Sequence, residues 1–217
     1  VVVFMHIPTW SREARAGEYG KEEMNKIVGN RRELYRILEP YDAHLCTAHE
    51  HYAENYELSD KLFEHVHAPL SGLFWQSLWS MDGVPWGYYV YTIKNGDISW
   101  YYKAVGQDKS VQYTEYAVGE DRHKPDCIVA NVWNYDPKWQ VLWYEDGVLQ
   151  GEMTKFSGWD TTICNDVDLR REKEFRWKYI GAGETQHLFY AKPSRPDAKV
   201  EIKVVDRFGN VCKPYRY

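Results

Sequence analysis

The sequence predicts an α+β protein that is rich in β-structure. Three features of its 217 residues support this prediction: a strand–helix–strand pattern near the start, two Asn-Gly or Asp-Gly turns flanked by apolar runs, and short strands at regular spacing in the second half. Ten Trp and eighteen Tyr residues add to the β-character, because aromatic side chains pack well on a pleated surface. The length allows one large domain or two modest ones.

The first elements form a crossover pattern. Residues 1–5 predict a buried parallel strand, residues 21–38 a helix, and residues 43–47 a second short strand. Gly29 inside the helical pattern weakens that assignment, and residues 10–20 are polar and predict a loop over the strand ends. The β-loop-α-β order fits a right-handed crossover unit.

The second half predicts an antiparallel β-sandwich. Asn95-Gly96 and Asp146-Gly147 are strong signals for two-residue turns that need positive φ, and each predicts a hairpin. The strands that flank them are predicted at 87–94, 97–104, 139–144 and 148–154. Further strands are predicted at 128–133, 175–180, 187–191 and 200–205. A polar stretch between about 105 and 126 suggests a boundary, which gives domains at 1–110 and 111–217.

Charge and cysteine content exclude several classes of function. The net charge of −5 does not favour nucleic acid as a partner, and no run is apolar enough to predict a membrane span. The four cysteines lie far apart and form no zinc-knuckle pattern.

The chain begins with Val1 and shows no signal segment, so we expect a processed, truncated or engineered piece of a longer protein.

Imidazoles follow both strands of the crossover unit. His6 comes after the first strand, and His49 and His51 come after the second. Because the carboxyl ends of parallel strands meet at one edge of a sheet, these side chains predict half of a metal site. Each could instead be a structural residue. The pair His65 and His67 repeats the H-x-H pattern and is expected to be structural.

The histidines resemble the last metal motifs of the calcineurin-like metallophosphoesterases. His6 stands for an isolated strand-end histidine, and Ala48-His49-Glu50-His51 is similar to Gly-His-x-His. Ala48 replaces a glycine that allows positive φ, so the loop is expected to be slightly reshaped without the loss of either imidazole. Several other segments resemble a bacterial subgroup of this family that carries an extra C-terminal β domain. They are residues 68–75, 82–88, 100–103, 131–133, 187–189 and 206–210.

The resemblance implies a fold and a set of metal ligands. The fold would be the C-terminal portion of an α/β/β/α metallophosphoesterase sandwich, followed by the antiparallel β-sandwich. His6 and His49 would bind one divalent ion and His51 another, each Mn, Fe or Zn, in the intact parent. Trp10 and Tyr52 either line the substrate pocket or pack in the core.

The family's other motifs, Asp-x-His, Gly-Asp-x-x-Asp and Gly-Asn-His-Asp/Glu, would precede Val1. Three segments inside the chain resemble these motifs and are rejected. Residues 42–44 match Asp-x-His but lie at the wrong end of a strand. Residues 29–31 resemble Gly-Asn-His but lie in the predicted helix, and residues 96–97 resemble the start of Gly-Asp-x-x-Asp but lie in a hairpin. We therefore assign no catalytic residue to this chain and expect that it does not hold a dinuclear centre alone.

The resemblance implies the C-terminal part of a metal-dependent phosphoester hydrolase, inactive as a fragment. Its partners would be a phosphoester substrate and either the missing N-terminal half of the catalytic domain or a second copy. An alternative is a non-catalytic, aromatic-rich β-sandwich that binds carbohydrate or protein, and a third interpretation is a purely structural brace. The resemblance also suggests a periplasmic or cell-surface location.

Overall fold

The first layer of the protein is a four-stranded sheet. The computed structural model describes residues 1–12 and 26–215. The sheet has the order β1-β2-β4-β3, with β1 Val2–Phe4, β2 Ala43–Thr47, β3 Glu54–Ser59 and β4 Leu62–Val66. Strands β1, β2 and β4 run parallel, and β3 runs antiparallel to β4. The predicted strand at 43–47 and its parallel pairing with the first strand are confirmed.

Two predictions in this region are corrected. Strand β1 is not buried: it lies at the edge of the sheet with β2 as its partner, and 76% of Phe4 is exposed. The helix, α1, spans Arg31–Leu38 rather than 21–38. Residues 26–30 form turns, because Gly29 and Asn30 favour turn geometry over helix; residues 21–25 lie outside the described part.

The sheet is covered on both faces. Alternate residues of β2 and β4, including Ala43, Leu45 and Leu62, pack against Leu38 and Leu34 of α1. The remaining side chains of β2 and β4, which include His44 and Phe63, lie on the other face of the sheet. This face packs against Trp100 of a β-hairpin. The hairpin consists of β5 Gly87–Lys94 and β6 Asp97–Ala104, with positive φ at Asn95 and Gly96 as the sequence predicts. The layers are therefore helix, sheet and hairpin.

A two-sheet sandwich follows. Its strands are β7 Val111–Tyr116, β8 Ile128–Val132, β9 Gln140–Glu145, β10 Val148–Glu152, β11 Thr154–Trp159, β12 Glu184–Ala191, β13 Val200–Val205 and β14 Lys213–Tyr215. One sheet has the order β11-β12-β8-β7-β14 and the other the order β10-β9-β13. Ala130, Val132, Val141, Phe189 and Val204 meet between them in an apolar core. All pairings are antiparallel except that of β14 with β7.

The strand predicted at 175–180 is wrong. A second helix, α2 Thr161–Glu174, precedes this segment, and Phe175 ends the helix in an extended conformation. The Asp160 carboxylate caps the helix by accepting a hydrogen bond from the Ile163 backbone N–H at 3.1 Å. Ile163 and Val167 are buried against Leu73 and other residues of the loop that precedes the hairpin. Packing of these few apolar residues against the rest of the protein stabilises this segment as a helix.

The predicted α+β, β-rich class is confirmed. The division at residues 110 and 111 stays a prediction. Strand β7 occupies part of the polar stretch where the boundary was expected, and Val111 packs with Ala53, Tyr102 and Trp133 in one cluster. Among the described residues, no helix has both the length and the apolar character needed to cross a membrane.

Candidate metal centre

His6 and His49 lie side by side just beyond the carboxyl ends of β1 and β2. The distance from His49 Nδ1 to His6 Nε2 is 3.0 Å, and the rings meet edge to face with centroids 4.9 Å apart. His6 is exposed and His49 is half-buried. The parallel pairing of the two strands explains the contact, because it brings both carboxyl ends to the same edge of the sheet.

His51 follows His49 in the same loop. Burial, and then the nearby imidazoles of His49 and His6, lower the pKa of His51. This favours the neutral ring, which is the form that binds metal ions. His51 Nδ1 is shielded from solvent and, within the described residues, has no hydrogen-bond partner. A buried nitrogen without a partner is costly unless a ligand satisfies it.

Backbone strain is concentrated at this edge. Positive φ values occur at His49 (70°), His51 (60°), Phe74 (52°) and Trp75 (65°). In the described chain the other non-glycine residues with positive φ are an Asn and an Asp in the hairpin turns, where this conformation is usual. Histidine adopts this conformation more readily than most residues, so the strain lies chiefly at Phe74 and Trp75, where the surroundings must impose it.

The same observation bears on Ala48. The left-handed positions are those of the two histidines, and Ala48 itself does not adopt positive φ. The Ala48 backbone N–H donates to the His6 carbonyl at 3.0 Å, which ties the two strand ends together. The replacement of glycine at this position therefore leaves both imidazoles in place.

Tyr52 and Trp10 are near the histidines in sequence and pack against each other in the structure. Tyr52 is only 1% exposed, and its ring packs with Tyr56, Val66 and the half-buried Trp10. The Arg12 guanidinium lies 3.9 Å from the centre of the Tyr52 ring. Trp10 also lines a surface cleft of about 500 Å³. Tyr52 is thus placed in the core, and a role of either residue in substrate binding stays a prediction.

The imidazoles suit a transition metal, but they form only part of a coordination shell. Two nitrogen ligands at about 2.0–2.1 Å from a tetrahedral zinc ion are about 3.3 Å apart, close to the separation of the His6 and His49 nitrogens. Within residues 1–12 and 26–215, no three His, Cys, Asp or Glu side chains are grouped so that they could hold a metal ion. The structure therefore brings the His6 and His49 nitrogens together, and a ligand role for the three histidines stays a prediction.

A second histidine network lies between the first sheet and the hairpin. His44 Nδ1 and His65 Nε2 are 3.0 Å apart, and His67 Nε2 lies 2.6 Å from the Tyr91 hydroxyl. Burial lowers the pKa of His67 to about 4, and burial together with the N-terminal ammonium lowers that of His44 to about 4. The ring of Trp100 meets that of His65 edge to face at 4.6 Å. These neutral histidines pack the interface between the layers.

A cleft of about 520 Å³ lies between the hairpin and the sandwich. Its lining combines aromatic side chains, Trp100, Tyr101 and Phe208, with polar ones such as Lys109 and Asp206. Phe208 is 40% exposed, and its ring meets Trp100 edge to face at 5.0 Å. This mixture of aromatic and polar groups is the kind of surface that binds sugars or peptides.

The fold and the strand-end imidazoles together define a class: a β-rich module with two adjoining imidazoles at the edge of a mixed sheet. The family model for the C terminal of calcineurin-like phosphoesterase matches residues 64–212, and the chain belongs to this family. No curated protein matches the chain, and no solved structure matches it. The matched range begins after His6, His49 and His51, so the family assignment rests on other residues.

Sequence reasoning missed one residue of this edge. The Phe74 ring stacks on the His51 imidazole, with centroids 4.2 Å apart and planes inclined by 13°. Phe74 belongs to the stretch 68–75 that carries the resemblance, but nothing local in that stretch indicates a contact with a histidine 23 positions earlier. Its left-handed backbone is a signal that only the structure provides.

Proposed function

We propose that this chain is the C-terminal part of a metal-dependent phosphoester hydrolase, in which His6, His49 and His51 supply nitrogen ligands. The observation that carries the proposal is the 3.0 Å approach of His6 Nε2 and His49 Nδ1 from two different strand ends. Family membership supports the coarser statement that the chain is part of a phosphoesterase.

The residues of this chain have a limited role in the proposed reaction. When bound in such enzymes, divalent ions polarise the phosphoryl oxygen and lower the pKa of a bound water molecule. The neutral imidazoles would hold the ions at the sheet edge. Among the residues that the structure describes, no three His, Cys, Asp or Glu side chains are grouped so that they could hold a metal ion. We therefore propose that the isolated chain does not hydrolyse phosphoesters.

The edge of β1 is the place where the remainder of the catalytic sheet would join. In the described part of the chain, β2 is the pairing partner of β1, and Phe4 and Val1 are 76% and 55% exposed. An edge strand with apolar side chains is a template for a further strand. We propose that the upstream part of the parent protein, or a second copy of this chain, pairs there.

Metal binding tests the ligand assignment. The chelator-washed chain is titrated with Zn²⁺ at pH 7.5, together with His49→Gln and with His123→Gln, a surface histidine outside the site. We expect fewer than two equivalents bound by the wild type, and an affinity that falls by at least about ten-fold in His49→Gln alone. Two equivalents bound by the wild type would show that the chain forms a complete centre. Equal affinity in the wild type and His49→Gln would remove His49 as a ligand.

Activity tests the hydrolase assignment. The chain and a longer product that includes the upstream residues are assayed on an aryl phosphate with Mn²⁺. We expect turnover from the longer product and none from the chain. If the longer product is inactive with Mn²⁺, Fe²⁺ and Zn²⁺, the hydrolase proposal fails.

The alternative of a binding module is favoured by the aromatic cleft between the hairpin and the sandwich. The occupant would be a carbohydrate or a peptide that stacks on Phe208 and Tyr101. Binding of neutral oligosaccharides is measured by calorimetry with the wild type and with Phe208→Ala. Saturable binding that the substitution abolishes would support the alternative.

A periplasmic or cell-surface location also remains a proposal, and fractionation of cells that express the parent protein tests it.

A further inference from the structure

We propose that Phe74 is a positioning residue that fixes the plane of the His51 imidazole, and that the segment after helix α2 holds Phe74 in place. The accessory half of the chain would in this way brace the metal-binding edge. This inference rests on the proposed role of His51 as a ligand and extends it to residues that touch no metal.

The stack between Phe74 and His51 controls the ring but leaves its nitrogens free. The planes are nearly parallel, inclined by 13°, and the centroids are 4.2 Å apart. Stacking uses a face of the imidazole, whereas metal ligation and hydrogen bonding use its edge. The buried His51 Nδ1 without a hydrogen-bond partner fits this division. A ring held by its face can present its nitrogen in one fixed direction.

Both partners of the stack have left-handed backbone. His51 has φ 60° and Phe74 has φ 52°, and Trp75 continues the left-handed conformation at 65°. A benzyl side chain is rarely found in this region of φ/ψ space, whereas histidine is several-fold enriched there. The left-handed backbone at Phe74 is therefore the costly one, and it persists because the surrounding structure holds it.

Phe74 is anchored on residues far along the chain. Its ring meets Trp177 edge to face at 6.4 Å, and it packs on the apolar cluster of α2 that contains Ile163. The Trp177 backbone N–H donates to Gln76 Oε1 at 2.8 Å, which fixes the loop two residues beyond Phe74. A path of direct contacts therefore runs from α2 through Trp177 and Phe74 to His51.

A structural role alone would predict a different response from positioning. If Phe74 only fills the α2 cluster, its loss should act like the loss of any other phenylalanine in that cluster. Phe175 provides the comparison, because it is 2% exposed in the same cluster and is not among the ring contacts of His51. Phe74→Leu and Phe175→Leu remove the same atoms, but only the first removes the stack.

The test follows the His51 ring by NMR in the metal-free chain and during titration with Zn²⁺. In Phe74→Leu we expect the His51 ring signals to move, and the Zn²⁺ concentration that half-shifts them to rise by about ten-fold. Phe74→Tyr, which keeps the stack, should retain both wild-type values. Phe175→Leu should lower the melting temperature without moving the His51 signals.

Two results would overturn the inference: wild-type His51 signals in Phe74→Leu, or an equal displacement in Phe175→Leu. The metal-free spectra separate this inference from the proposed function. If Zn²⁺ leaves the His51 signals unchanged in the wild type, the ligand assignment fails. Because loss of the Phe74 ring current shifts the His51 signals by itself, the NOEs from the His51 ring to its other neighbours in metal-free Phe74→Leu decide whether Phe74 positions the ring.

Discussion

Acidification should weaken the interface between the first sheet and the hairpin through His67. The imidazole Nε2 lies 2.6 Å from the Tyr91 hydroxyl, and its ring lies 4.3 Å from that of Tyr89. Burial lowers the pKa of His67 to about 4, against an ordinary value of about 6.5 in the unfolded chain. The substitution His67→Gln keeps a group that can bond Tyr91 and removes the titration.

The magnitude follows from proton linkage. Between pH 6.5 and 4 the unfolded chain binds more protons than the native chain, so this contribution to stability is lost as the pH falls. At pH 5 an imidazole with pKa 6.5 is about 97% protonated and one with pKa 4 about 9%, a difference worth about 2 kcal/mol. His67 is not fully enclosed, so we expect about 1–2 kcal/mol.

Glu64 acts in the opposite direction. Burial raises the pKa of Glu64 to about 6, so its contribution is present at low pH and is lost as the pH rises through 6. The wild type and His67→Gln share Glu64, and its effect cancels in the difference between them. The pH dependence of each protein alone mixes these effects, whereas the difference isolates His67.

The assay is urea unfolding, followed by tryptophan fluorescence at pH 7.5 and pH 5. The free energy of unfolding of the wild type should fall by about 1–2 kcal/mol more than that of His67→Gln between these pH values. The surface variant His123→Gln should behave as the wild type does. An equal loss in the wild type and His67→Gln would refute the argument that His67 is buried in its neutral form.

Two further substitutions test backbone conformation. Trp75→Asn should raise the free energy of unfolding by about 0.5–1 kcal/mol, because Trp75 is 76% exposed at φ 65° and Asn tolerates that conformation. The control is Tyr179→Asn, at an exposed site without positive φ, which should bring no gain in the free energy of unfolding. Gly83→Ala should cost about 2–3 kcal/mol more than Gly96→Ala, because a Cβ at Gly83 would overlap the Asp160 carboxyl whereas Gly96 has open space. Urea unfolding measures both, and equal costs at the two glycines would refute the overlap.

Local sequence was sufficient where a short pattern allows one solution. Asn95-Gly96 predicted a hairpin whose strands occupy 87–94 and 97–104 in the structure. The strand at 200–205 also has its predicted bounds. In each case turn chemistry or β-propensity acts within a few residues, so distant packing does not change the outcome.

Local sequence failed where packing decides. Helix α2 carries few buried apolar residues, among them Ile163 and Val167, and Arg170 pairs with Asp166 and Glu174 on its exposed side. Such a helix lacks a strong 3.6-residue apolar period, although its cap and its i,i+4 charge pairs were available as signals. The first strand was predicted as buried because its composition is apolar, but its position in the sheet is a property of the pairing.

The sequence by itself determined the hairpin of β5 and β6, the strand at 200–205, and the placing of imidazoles directly after two parallel strands. Only the tertiary structure decided that His6 and His49 approach to 3.0 Å, and that Phe74 stacks on His51. The physical reason is one of range. Turn and strand preferences act between neighbours in the chain, whereas the direction of a ring is set by the strand pairing and side-chain packing of residues far apart in sequence.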